Sequence, residues 1–238
     1  MAKEAEVIFK ITSDPKGFLQ GVADSKAETA KLVAGLALLT AGGAILVGIG
    51  KKALQMGSDY EQAFAMTSTL MGKNQKFIDS TKGKVLELSA NYGRMGTEGA
   101  DAMYQLLSAG VAPDKSLKAL DSSLKSATAS GAGLTDVVDV GTTVLNAYGK
   151  ETEDLDEVLN MLMETQNLGK TTVQELAQNY GQLLPIASQM GVSFENVSAA
   201  MSVMTAQGIK TPQAITGLKS LFTELGREGS IKIGRAHV

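Results

Sequence analysis

Glycines that directly follow a segment with apolar side chains at helical spacing recur about once every twenty residues of this chain. A glycine directly after such a segment is typical of a helix C-terminus, because glycine adopts the left-handed conformation without steric cost. The sequence therefore predicts an all-α fold, a succession of short amphipathic helices and helical hairpins. After the first long helix, the predicted helices are residues 58–72, 75–91, 98–109, 113–130, 136–148, 154–167, 173–190, 194–207 and 212–225.

Local signals mark the ends of these predicted helices. The predicted stops are Gly57, Gly72, Gly93, Gly110, Gly131, Gly149, Gly169, Gly191, Gly208 and Gly226. The predicted N-caps are Thr97, Thr135, Thr172, Ser193 and Thr211. Ser58 and Thr172 each precede a glutamate by three residues, which is the spacing of a capping box. Pro185 is expected to kink or split its helix, and the helix faces differ too much to predict a true sequence repeat.

Residues 1–57 are predicted to form an N-terminal region of a different kind. Residues 5–12 alternate apolar and polar side chains, which predicts one short strand. Ser13-Asp14-Pro15 is a helix start signal. A long, partly hydrophobic helix is predicted from Pro15 to Met56, with Gly57 as its stop.

An uncharged apolar segment, residues 32–50, lies inside this long helix. Its nineteen residues span about 28 Å as a helix, close to the thickness of a bilayer core. Five of the nineteen are glycine, so insertion into a membrane and burial as a packing helix both remain open. Thr40, Ala44 and Gly48 lie four residues apart and form a small-residue face, which suits close helix association in lipid or in a bundle.

Composition excludes several classes of chemistry. The chain has no cysteine, so thiol nucleophiles and cysteine metal sites are absent, and its one histidine is His237 near the C-terminus. A net charge of −3 disfavours binding to nucleic acid. Only 5% of the residues are aromatic. Helices with such small side chains bury little area, so we expect copies of the chain to associate.

Two motifs suggest ligand chemistry, and each has a simpler interpretation. Leu168-Gly169-Lys170-Thr171-Thr172 resembles the end of a phosphate-binding P-loop, but Glu164 occupies the position of the first required glycine. Gly169 is better explained as a helix C′ residue and Thr172 as the next N-cap. The acidic run at residues 151–157 lacks the spacing of a calcium loop and suits the first turn of a helix. We therefore expect no cofactor, no metal ion and no catalytic residues.

The predicted domain limits follow from these elements. Residues 58–226 are predicted to form a helical core domain, and residues 227–238 a disordered tail. The last six residues, 233–238, back-translate to the run of a widely used sequencing adapter. We therefore suspect that they are an adapter-derived artefact rather than native sequence.

Four segments resemble the amino-terminal region of phage tail tape-measure proteins. They are YEQAFAMTSTLMG at 60–72, VLELSANYGRMGTEGADAMYQLLSAG at 85–110, SLKSATASGAGLTDVVDVGTTVLNAYG at 123–149, and the most specific one at 171–226. In this last segment a kinked helix, a GVS turn, an AxxxMxxxxAxGI helix and an amphipathic helix follow in order. Such motifs are structural, so the resemblance implies no catalytic residues.

The resemblance implies a structural virion component in the tail lumen, assembled in the host cytoplasm, whose length sets the length of the tail. Implied partners are the tail tube protein, tail assembly chaperones, other copies of the chain and a host membrane reached during infection. Even wholly helical, 238 residues extend only about 360 Å. We therefore expect the chain to be an amino-terminal fragment of a longer protein.

A second interpretation comes from residues 32–50. In it, the chain is a small membrane-perturbing or pore-forming protein, and the remaining helices are a soluble shield. Neighbouring genes distinguish the two: tail tube and tail chaperone genes immediately upstream favour the tape measure, and an isolated complete frame favours the membrane protein.

Overall fold

The computed structural model describes the backbone of residues 43–226 and the side chains of residues 54–226. The chain divides into two compact units, Met1–Ala65 and Met66–Val238. Every regular element among the described residues is helical, so the predicted all-α fold is confirmed there. The helices, numbered in chain order, are α1 (Gly43–Ser68), α2 (Gln75–Asn91), α3 (Gly96–Ser108), α4 (Pro113–Ser130), α5 (Leu134–Tyr148), α6 (Leu155–Leu168), α7 (Val173–Tyr180), α8 (Leu184–Gln189), α9 (Phe194–Ala206) and α10 (Thr211–Gly226).

Several predictions concern residues outside the described part of the chain. The strand at residues 5–12, most of the apolar segment 32–50 and the tail at 227–238 are among them. The predicted domain limits at residues 57 and 226 stay a prediction. Within residues 43–226, no helix combines the length and the apolar character needed to cross a bilayer.

Helix α1 continues without a break through Gly57 and Ser58. The predicted stop at Gly57 and the capping box of Ser58 and Glu61 are therefore wrong. One glycine inside a helix costs only about 1 kcal/mol relative to alanine. Strong helix formers, among them Met56 and Glu61, lie on both sides of it and outweigh that cost.

Most of the other predicted stops are confirmed by the backbone. Glycines with positive φ follow seven helix ends: Gly72, Gly93, Gly110, Gly131, Gly149, Gly191 and Gly208. At several of them the residue after the glycine closes the last turn, as when Val111 N donates to Leu106 O at 3.0 Å and Val192 N to Ala187 O at 2.9 Å. An apolar residue in this position is typical of the Schellman motif. Pro185 splits its predicted helix into α7 and α8, as expected.

The helices of the second unit stack as four hairpins, α2–α3, α4–α5, α6–α7 and α9–α10. Helices α2, α4, α6 and α9 form one layer, and α3, α5, α7 and α10 form the other. Within each layer, every helix packs against the next one along the chain, and the short α8 packs against α5, α9 and α10. The predicted hairpins are confirmed, and they stack regularly although the sequence shows no repeat. The buried core includes Met103, Leu106, Leu120, Leu124, Val138, Leu162, Leu176, Tyr180, Leu183 and Met201.

The predicted N-caps have mixed outcomes. Thr172 Oγ1 accepts from Glu175 N at 3.1 Å, and Ser193 Oγ accepts from Asn196 N at 3.3 Å, so both caps are confirmed. Thr97, Thr135 and Thr211 are not caps, because each lies inside the first turn of its helix. Asn74, which the sequence did not single out, caps α2 by accepting from Phe77 N at 3.2 Å.

Replacing Thr172 by alanine tests the confirmed cap. We expect Thr172→Ala to lower the free energy of unfolding by about 1 kcal/mol, because the amide of Glu175 loses its acceptor. Thr97→Ala is the matched control, since Thr97 does not cap α3, and we expect a change within about 0.5 kcal/mol. Urea unfolding followed by circular dichroism measures both. Equal losses in the two variants would contradict the assigned cap.

Candidate functional site

The turn between α6 and α7 contains the sequence that resembles a P-loop. Gly169 follows α6, as predicted, but its backbone is extended, with φ −102° and ψ 177°. A Cβ at Gly169 would lie 2.9 Å from Thr165 O and 3.2 Å from Ser202 Cα, and it would also meet the hydroxyl of Thr205. The position therefore needs glycine because α9 approaches closely, rather than for left-handed backbone. Lys170 N donates to Thr205 Oγ1 at 3.2 Å and ties the turn to α9.

A carboxylate and two hydroxyl groups occupy the other side of this turn. The hydroxyl of Thr211 donates to Glu175 Oε2 at 2.7 Å and lies 2.9 Å from the hydroxyl of Thr171. Glu175 therefore binds the start of α10 rather than the backbone of Thr172, so the second half of the predicted capping box is wrong. A carboxylate in this position repels phosphate. The turn joins α6, α7, α9 and α10, and its polar groups serve that junction.

The acidic residues before α6 form a helix cap and an ion pair. Glu151 and Asp154 form a reciprocal capping box around the 3₁₀ turn Thr152–Asp154, and Glu151 N donates to Asp154 Oδ2 at 2.9 Å. Glu153 pairs with Lys115 of α4 at 2.9 Å. Its hydrogen bond to the Lys115 ammonium lowers the pKa of the Glu153 carboxyl. Among the described residues, no group of three or more acidic or histidine side chains is arranged to hold a metal ion.

Three aromatic side chains meet where α5, α7 and α9 converge, a cluster that the sequence did not predict. The ring of Phe194 lies 6.0 Å from that of Tyr148 and 6.2 Å from that of Tyr180, measured between centroids. Within the described part of the chain, the Tyr148 hydroxyl has no hydrogen-bond partner, and the Tyr180 hydroxyl lies beside that of Ser198. Burial raises the pKa of Tyr180, and burial together with the charge of Glu195 raises that of Tyr148 to about 12.

The raised pKa of Tyr148 predicts a loss of stability in alkali. In the unfolded chain this phenol ionises near its ordinary pKa of 10.0, whereas in the folded chain it stays neutral up to about 12. The stabilising contribution is therefore complete below pH 10 and is lost as the pH rises toward 12. We expect the free energy of unfolding of Tyr148→Phe to fall less steeply than that of the wild type over this range. Urea titrations at several pH values measure the two slopes, and equal slopes would contradict the prediction.

The predicted self-association face is only partly described. Thr40 lies outside the described residues, whereas Ala44 and Gly48 lie on α1 at positions i and i+4. Their side-chain surroundings are not described. The role of Thr40, Ala44 and Gly48 in association or in a membrane stays a prediction.

Comparison with known proteins assigns the chain to a family. Residues 82–234 match the family model described as phage-related minor tail protein. This range covers most of the hairpin stack. The chain belongs to the phage-related minor tail protein family. The predicted resemblance to tape-measure proteins is confirmed, because two relatives of this chain carry that name.

Two such relatives show how far the similarity extends. The probable tape measure protein of Clostridium phage phiCD119 is 40% identical over 210 residues, which cover 87% of this chain and 22% of the relative. The tape measure protein of Pneumococcus phage Dp-1 is 23% identical over 193 residues, which cover 81% of this chain and 17% of the relative. The chain thus spans about a fifth of the length of these relatives. No solved structure matches it.

Proposed function

We propose that this member of the minor tail protein family acts as a tail tape measure, a structural protein that sets tail length and templates assembly of the tail tube. The observation that carries the proposal is the 40% identity over 210 residues to a relative named a probable tape measure protein. The succession of helices described above is consistent with a structural role. We assign no catalytic step to it.

The proposal includes a location and partners. The chain would lie in the lumen of the virion tail after assembly in the host cytoplasm. There it would contact the tail tube protein, and during assembly it would contact tail assembly chaperones and other copies of itself. Nucleic acid is not among the proposed partners, because the net charge of −3 provides no excess of basic groups.

A duplication in the phage or prophage gene that encodes this chain tests the tape-measure role. Repeating residues 113–168, which span α4 to α6, adds 56 residues. If the added segment lies in the tail as extended helix, we expect tails about 84 Å longer, at 1.5 Å per residue. Electron microscopy of purified virions measures tail length. The point variant Gly181→Ala is the control and should leave the length unchanged. Viable virions with tails of unaltered length would refute the proposal.

We also propose that residues 32–50 form a membrane-active or self-association segment that assists genome entry. Its length and lack of charge support this role, and its glycine content makes it a weak anchor. A peptide covering residues 31–52 is expected to become helical and to partition into lipid vesicles. The same peptide with Leu38→Lys is the control and should stay in the aqueous phase. If the native peptide also stays in the aqueous phase, the segment is a packing helix.

A further inference from the structure

The four turns inside the hairpins lie together at one edge of the second unit, and the connectors between hairpins lie at the opposite edge. Hydrogen bonds run from turn to turn: Arg94 donates to Ala132 O at 3.0 Å, Gln166 Nε2 to Ser130 O at 3.4 Å, and Lys170 N to Thr205 Oγ1 at 3.2 Å. An ion pair joins the start of α4 to the connector before α6 at the other edge. We name these two sides the turn edge and the connector edge. The turn edge consists of residues 92–95, 131–133, 169–172 and 207–210, and the connector edge of residues 109–112, 149–154 and 181–193.

The third and fourth hairpins, α6–α7 and α9–α10, are joined by polar groups at the turn edge. The hydroxyl of Thr211, at the start of α10, donates to Glu175 Oε2 at 2.7 Å and lies 2.9 Å from the hydroxyl of Thr171. Thr211 is only 2% exposed. A hydrogen bond to a carboxylate is stronger than one between neutral groups. We name Thr171, Glu175 and Thr211 the turn latch.

Covalent bonds join these two hairpins only at the connector edge. Their connector, residues 181–193, has thirteen residues and contains α8, whereas the other two connectors have four and six. Phe194, the first residue of α9, lies at this edge beside the rings of Tyr148 and Tyr180. Thr205 is eleven residues further along α9, or about 17 Å away. A rotation of the fourth hairpin about its connector would therefore move the turn latch far and Phe194 little.

Two buried hydroxyl groups of α9 form hydrogen bonds within α9 itself. Ser202 Oγ donates to Ser198 O at 2.9 Å, and Thr205 Oγ1 donates to Met201 O at 2.7 Å. A hydroxyl that donates to the carbonyl one turn before it keeps this bond when neighbouring helices move away. Separation of the two hairpins therefore leaves these bonds intact and does not require α9 to unfold.

We propose that the fourth hairpin swings away from the third as an intact pair of helices, hinged at residues 181–193, and that the turn latch holds it closed. Packing of α9 on α6 and of α10 on α7 favours the closed state, so the open state is the minor one. Opening exposes the sides of these helices that face each other. Loss of the hydrogen bond between Thr211 and Glu175 is expected to raise the open population about 10-fold.

A single introduced thiol reports this motion, because the chain has no cysteine of its own. Ser202 is 7% exposed, and its Cα lies beside Gly169 across the junction. In the full chain carrying Ser202→Cys, we expect Thr211→Val to raise the alkylation rate about 10-fold, because valine has the shape of threonine but no hydroxyl. Thr211→Ser retains the hydroxyl and should react at the wild-type rate. Thr142→Val is the matched control and should leave the rate unchanged, because the buried hydroxyl of Thr142 donates only within α5.

Amide hydrogen exchange distinguishes a hinged motion from local unfolding. If α9 moves as an intact helix, the thiol of Ser202→Cys shows a larger opening constant than the α9 amides show by exchange. Equal opening constants for the thiol and these amides would overturn the proposal. So would equal alkylation rates in Thr211→Val and Thr142→Val, or faster exchange throughout α2 to α7 in Thr211→Val. None of these outcomes depends on tail length, so they leave the proposed tape-measure role untouched.

Discussion

Replacing Phe194 by alanine is expected to lower the free energy of unfolding by about 3–5 kcal/mol, the usual cost of removing a buried phenyl ring. Phe194 is the first residue of α9 and only 1% exposed. Its ring packs beside Tyr148 at the end of α5, and its ring plane lies at 85° to that of Tyr180. Removing it would leave a cavity where three helices of both layers converge.

Leu168→Ala is the matched control for this variant. Leu168 lies at the end of α6 and is 64% exposed, so we expect its truncation to change stability by no more than about 0.5 kcal/mol. Denaturant unfolding followed by circular dichroism measures both variants. If Phe194→Ala cost no more than Leu168→Ala, the aromatic cluster would not hold the hairpins together.

Replacing Gly169 by alanine is expected to lower the free energy of unfolding by about 1–3 kcal/mol, the usual cost of overpacking a close contact. The added methyl group would lie 2.9 Å from Thr165 O and 3.2 Å from Ser202 Cα. Both are backbone atoms, so neither can turn aside as the end of a side chain would. The turn would have to move away from α9, which would lengthen the hydrogen bond from Lys170 N to Thr205 Oγ1.

Gly181→Ala is the control for the same chemical change. Gly181 has φ −53° in the right-handed helical region, and a Cβ there would meet nothing within 4 Å. We expect this variant to be neutral or to gain about 0.4–1 kcal/mol, because alanine restricts the unfolded chain. Thermal unfolding of the two variants gives the comparison. Equal stability of the two variants would show that Gly169 is not required for the close approach of α9.

Only part of the candidate site followed from the sequence. The interpretation of residues 168–172 as a helix end and a new cap was right, because Thr172 caps α7 by a contact within one turn. The hydrogen bond between Thr211 and Glu175 could not be predicted from the sequence. The two residues are 36 positions apart, and their contact exists only once α10 lies beside α7. The cluster of Tyr148, Tyr180 and Phe194 was missed for the same reason. In the sequence, each of these side chains resembles an ordinary core residue of its own helix.

The sequence by itself determined the helices, most of their ends and the family. Left-handed glycines, the Thr172 and Ser193 caps and the break at Pro185 act through the energies of a few adjacent residues, so they do not depend on the rest of the fold. The tertiary structure decided the features that depend on packing between helices. Packing required glycine at position 169 and arranged unlike hairpins in two layers. These outcomes depend on contacts between residues far apart in the chain, and a stack of that kind can be regular in space without repeating in sequence.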